Sequence, residues 1–137
     1  MAVLQIVGNQ SGSGKTSLAA ALLVATNNAG KHAAYYKPFA DGRSADSDVA
    51  FISELLQSIG GPAVPAPGNK SDSGDLSSAQ AATSKLESEV GLVVIEGPDG
   101  SKPYALESKV ILVHRHLPGD GIPSIATTIP NLAAVIV

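Results

Sequence analysis

The chain predicts an α/β fold with a doubly wound, mostly parallel sheet, on three observations. Short apolar runs such as Leu92-Val93-Val94-Ile95 and Val110-Ile111-Leu112-Val113 read as strands buried on both faces. They alternate with stretches of helical periodicity, the order in which parallel strands are joined by crossover helices. The composition agrees: 44% hydrophobic but only 4% aromatic, without tryptophan, so Ala, Val, Leu and Ile must fill the core. At 137 residues the length suits one domain, residues 1–137, around one core.

Residues 2–7 read as the first strand. A helix runs from about Gly14 to Asn28, with Leu18, Ala21, Leu22 and Ala25 at helical spacing and Asn27-Asn28-Ala29-Gly30 as its stop. Ala33 to Lys37 is a second strand, closed by Pro38. Phe39 to Ser47 reads as a loop, followed by an amphipathic helix over 48–59 with Ser47 or Asp46 as its cap and Gly60-Gly61 at its end. Gly61 to Asp75 holds three prolines and is either a surface loop or a substrate lid. Leu76 to Ser88 is helical, and strands follow at 92–95, 109–113 and 132–137, with room for a short helix between Gly119 and Pro130.

The first chemical signal joins the first strand to the first helix. Gly8-Asn9-Gln10-Ser11-Gly12-Ser13-Gly14-Lys15-Thr16 is a glycine-rich turn between strand and helix, the context a phosphate-binding P-loop needs. Its backbone N–H groups curl toward an anion that the helix dipole also favours. Gln10, Ser11, Gly12, Ser13, Gly14, Lys15, Thr16 and Ser17 are the expected phosphate-binding residues, with Lys15 on the outer phosphates and the Thr16 hydroxyl on magnesium. The usual spacing puts the first glycine at position 9, which is Asn9 here.

A P-loop enzyme also needs a carboxylate at the end of another buried strand. Glu96 follows Leu92-Val93-Val94-Ile95 and precedes a glycine that allows close approach. Asp46 and Asp48 lie where the second strand's loop meets its helix; either completes the metal shell or serves the helix N-terminus, and Asp48 is the preferred ligand. Lys37 closes the second strand, and the carboxyl ends of strands line the ligand crevice of such sheets, so it either faces a transferring phosphoryl group or is a solvated strand end. His114-Arg115-His116 follows another strand; with no other His or Cys nearby in sequence it reads as crevice wall or exposed loop rather than a zinc site.

Composition narrows the function classes. The net charge is −3 and the nine Lys and Arg are scattered, so no basic stripe for nucleic acid is present. Zero cysteines exclude disulfides and thiolate chemistry. Apolar runs are too short for a membrane span and no leader is visible, which points to a cytoplasmic protein. An apolar last strand at or near a sheet edge would favour a homodimer.

Gly8 to Thr16 with five residues between its glycines, Tyr36-Lys37-Pro38, Asp48, and Val94-Ile95-Glu96-Gly97-Pro98-Asp99-Gly100, in that order, resemble the dethiobiotin synthetase family. The pattern is also similar to the related N-terminal domains of cobyrinic acid a,c-diamide synthase and of long phosphotransacetylases. It covers residues 1 to about 115. The resemblance implies the P-loop nucleoside triphosphate hydrolase fold and an ATP- and magnesium-dependent ligase. In that family a substrate carboxylate or carbamate attacks the γ-phosphate, and a nearby nucleophile captures the mixed anhydride. By position, Lys15 and Lys37 would stabilise the transferring phosphoryl group, and Thr16, Asp48 and Glu96 would hold magnesium. Partition-type ATPases carry an extra lysine where this chain has Gln10. The departures are Asn9-Gln10-Ser11 in place of a threonine-rich loop, the turn Gly97-Pro98-Asp99-Gly100, and a family C-terminal continuation beyond the strand matching Leu132–Val137.

Two functions follow. One is an ATP-dependent carboxylate-activating ligase or synthase taking a small carboxylate or amine. The other is a non-catalytic nucleotide-sensing domain, as in phosphotransacetylases. Lys37 favours the first, since sensing does not need it; the shorter C-terminal part favours the second. A metallochaperone-type switch is the weakest reading, because the expected metal-binding clusters are missing from the sequence.

Overall fold

Strand β1 (Ala2–Gly8) lies between two parallel neighbours, β5 (Leu92–Asp99) and β6 (Lys109–Val113). The computed structural model describes residues 2–8, 14–40, 43–69, 76–99, 103–114 and 132–136. Among them, β2 (Ala33–Tyr36) pairs outside β5, and β7 (Leu132–Ile136) pairs outside β6. The five-stranded sheet has the order β2-β5-β1-β6-β7, and every pairing is parallel. Helix α1 (Lys15–Asn28) links β1 to β2; α2 (Arg43–Ile59) and α3 (Ser77–Glu89) lie between β2 and β5 in sequence. This is the expected α/β architecture, that of a P-loop nucleoside triphosphate hydrolase.

The period-2 alternation of the strands sorts the core into two layers. Ile6, Tyr35 and Val94 face one side of the sheet, where they pack with Ala19 and Leu23 of α1 and Ile52 and Leu56 of α2. Val3, Ala34, Tyr36, Val93 and Ile95 face the other, with Ala79 and Leu86 of α3. Burying each of these larger aliphatic side chains contributes roughly 1.5–3 kcal/mol. Helices therefore cover both faces, as double winding requires. No helix among the described residues is long and apolar enough to cross a membrane.

Two local expectations are corrected. Phe39 to Ser47 is not all loop, and neither Ser47 nor Asp46 caps α2, because that helix already starts at Arg43. Its first turns carry no apolar periodicity, yet acidic residues favour a helix N-terminus, so the turns form without a hydrophobic signal. Phe39–Ala40 forms a short strand, β3, paired in parallel with β4 (Gly68–Asn69) inside the stretch read as loop or lid. Residues 70–75 and 115–131 lie outside the described residues.

Candidate functional site

Parallel pairing of β1, β5 and β2 brings their carboxyl ends to one edge of the sheet, where α1 begins. Gly14 precedes α1 with φ 103°, a left-handed conformation that side chains rarely adopt. The Leu18 N–H donates to the Gly14 carbonyl at 3.0 Å, closing the first helical turn. The N–H groups of a first turn have no intrahelical acceptors, so this helix end favours an anion. Lys15 and Thr16 are half-buried there, and Ser17 is exposed. Gln10, Ser11, Gly12 and Ser13 lie outside the described residues.

Alternation along β2 and β5 supplies the facing wall. Tyr35 pairs in register with Val94, and the next same-face residues are Lys37 and Glu96. Glu96 is 1% exposed, a depth at which a carboxylate needs partners. The Thr16 hydroxyl donates to Glu96 Oε1 at 2.5 Å, and the Tyr35 hydroxyl donates to Glu96 Oε2. The Lys37 ammonium donates to Asp48 Oδ2 at 3.3 Å and lies 3.9 Å from Glu96 Oε2. Lys37 is 7% exposed, so it is not a solvated strand end. Burial first, then the charge of Glu96 and its hydrogen bond, pushes the Tyr35 phenol far above its ordinary value of 10.0. It therefore stays protonated and remains a donor.

Lys15 Nζ donates to the Gly97 carbonyl at 3.4 Å. β5 presses close on β1 at Gly97: an added Cβ would sit 2.8 Å from Val7 Cγ1, 2.9 Å from Gln5 Oε1 and 3.0 Å from the Ile6 carbonyl. Gln5, fully buried in β1, accepts from the Tyr104 N–H at 2.7 Å and donates Nε2 to the Tyr104 carbonyl at 3.2 Å. The chain leaving Gly97 and the chain returning at Tyr104 thus meet on one amide. The Tyr104 ring in turn packs edge-on against Phe39 at 5.3 Å.

Lys15, Thr16, Lys37, Asp48 and Glu96 therefore converge, two ammonium groups against two carboxylates. Magnesium takes hard oxygen donors, usually one or two carboxylates with phosphate oxygens completing the shell. The Thr16 hydroxyl, Asp48 and Glu96 offer donors of that kind, and the N-terminus of α1 suits an anion such as a phosphate. Among the described residues no group of three or more His, Cys, Asp or Glu forms a metal cage. His114 is half-buried, its N–H donating to the Ile136 carbonyl at 2.7 Å; Arg115 and His116 lie outside the described residues. Sequence reasoning missed Tyr35 and Gln5. The usable signals were a tyrosine on the Lys37 face of β2 and a polar residue within an apolar strand.

No curated protein matches the chain in sequence. A family model described as AAA domain matches residues 2–114, the span that carries β1, α1, Lys37, Asp48 and Glu96. Over most of its length, then, this chain belongs to the AAA domain family of P-loop nucleotide-binding proteins.

Proposed function

We propose that the chain is an ATP- and magnesium-dependent enzyme of the dethiobiotin synthetase type, activating a small carboxylate or carbamate by phosphorylation. The observation that carries this reading is Lys37, a second lysine on the edge where Lys15, Thr16 and Glu96 meet. Binding a triphosphate needs one P-loop lysine; transferring its terminal phosphoryl group benefits from a second cation. The substrate oxygen would form a bond to the γ-phosphorus as the bond to the ADP oxygen breaks. An amine or other nucleophile would then take the acyl group and release phosphate. Lys15 would hold the outer phosphates, Lys37 would meet the charge on the transferring group, and the Gly14 turn would seat the phosphates at the helix end. Thr16, Asp48 and Glu96 would hold magnesium, whose charge neutralises phosphate oxygens.

One observation favours the sensor reading instead. Lys37 is hydrogen-bonded to Asp48 and lies 3.9 Å from Glu96, as a counter-ion would. Lys37→Ala separates the two. In a ligase it lowers phosphate release from ATP by about a hundredfold or more while triphosphate affinity changes little. Unchanged release removes Lys37 from the mechanism and leaves the nucleotide-sensing domain.

A further inference from the structure

We propose that Tyr35 is a positioning residue of this site, its hydroxyl occupying one oxygen of Glu96 so that Lys37 is held off that carboxylate. The proposal rests on the triphosphate site proposed above and assigns it a further working part.

Tyr35 is 1% exposed and packs among Ile6, Leu23 and Ile52. A phenylalanine would bury the same ring without a polar atom, so the hydroxyl must be explained by its partner. That partner is Glu96 Oε2, while Thr16 takes Oε1, so each carboxylate oxygen already accepts from a hydroxyl. Lys37 lies next along the same face and stops 3.9 Å from Oε2. A direct ammonium–carboxylate hydrogen bond closes to about 2.7–2.9 Å. Charges this buried attract strongly; the Tyr35 hydroxyl on Oε2 and Asp48 on the ammonium each take part of the pair's bonding capacity and hold the two groups 3.9 Å apart.

Without the hydroxyl, Glu96 would lack a donor on Oε2, and Lys37 is the cation beside it. The ammonium would move from Asp48 onto Glu96, and the carboxylate would turn away from Thr16. A neutral donor thus keeps two functional charges apart in the buried end of the site. Lys37 then remains beside partly exposed Asp48 rather than on buried Glu96.

Tyr35→Phe tests this by deleting one oxygen. In a crystal structure of the nucleotide-free variant, Lys37 Nζ is expected about 2.8 Å from Glu96, with the Thr16 bond lengthened or lost. A gap still near 3.9 Å with Thr16 in place overturns the proposal. In magnesium–ATP turnover the variant is expected to lose about tenfold or more in kcat with KM little changed. Combined with Lys37→Ala, it should add no further loss, because its effect runs through that lysine. Multiplying losses would mark Tyr35 as structural packing and overturn the proposal. The crystallographic distance is read without nucleotide; if the wild type binds no triphosphate, the functional reading fails while the distance still decides the role of Tyr35.

Discussion

Gly97→Ala places one methyl group where three strand atoms already meet. Its Cβ would lie 2.8 Å from Val7 Cγ1, 2.9 Å from Gln5 Oε1 and 3.0 Å from the Ile6 carbonyl. None of these yields easily. Val7 is buried with a stiff χ1, Gln5 Oε1 is held by the Tyr104 N–H at 2.7 Å, and the Ile6 carbonyl belongs to a strand paired on both sides. Overpacking of this kind costs about 1–3 kcal/mol, and loosening the Gln5–Tyr104 bond adds about 1 kcal/mol. The total of roughly 2–4 kcal/mol corresponds to a fall in Tm on the order of 10 °C for a chain of this size. Because the Gly97 carbonyl accepts from Lys15, triphosphate affinity should fall as well. Thermal unfolding read alongside calorimetric titration of ATP gives both effects. A variant that melts within about 1 °C of wild type would refute the close-approach reasoning.

Further outcomes follow from burial and charge. Leu56, 2% exposed on the buried face of α2, should cost about 2–5 kcal/mol when cut to alanine, read by urea unfolding; a loss below about 0.5 kcal/mol would contradict its place in the core. Burial raises the Tyr36 phenol, and burial together with Glu96 raises that of Tyr35, so the folded chain keeps protons that the unfolded chain releases above pH 10.0. Stability is therefore held below that pH and lost above it, the Tyr35 phenol alone contributing a slope of about 1.4 kcal/mol per pH unit. Tyr35→Phe should remove one such slope in urea titrations between pH 9 and about 11; an unchanged slope would contradict the burial of that hydroxyl.

The sequence made the sheet legible because most of its strands are apolar runs and α2 repeats at helical spacing; in α1 the spacing misled, since Ala19 and Leu23 are buried while Ala21 and Ala25 are exposed. Lys15, Thr16, Lys37 and Glu96 stood out in the sequence because each sits at an end of a strand or helix; Asp48 stood out as a helix start, but α2 begins at Arg43 and puts it in the second turn. What stayed hidden depends on partners distant in sequence. Tyr35 reads as plain core in Ala33-Ala34-Tyr35-Tyr36, since its acceptor is 61 residues away. Gln5 reads as an interruption of an apolar strand until Tyr104, 99 residues on, is seen against it. The β3–β4 pairing is two residues long on each side, too short to carry an alternating pattern. The early start of α2 escaped because the sequence Arg43-Ser44-Ala45-Asp46 carries no apolar stripe.

We propose that the P-loop segment Gly8 to Thr16 binds a triphosphate and that Thr16, Asp48 and Glu96 hold its magnesium. Calorimetric titration of ATP into the wild type and Lys15→Ala, each with and without magnesium, tests it most directly. A working P-loop predicts saturable, magnesium-dependent binding by the wild type and none measurable in the variant. Equal affinity of the two proteins would contradict it.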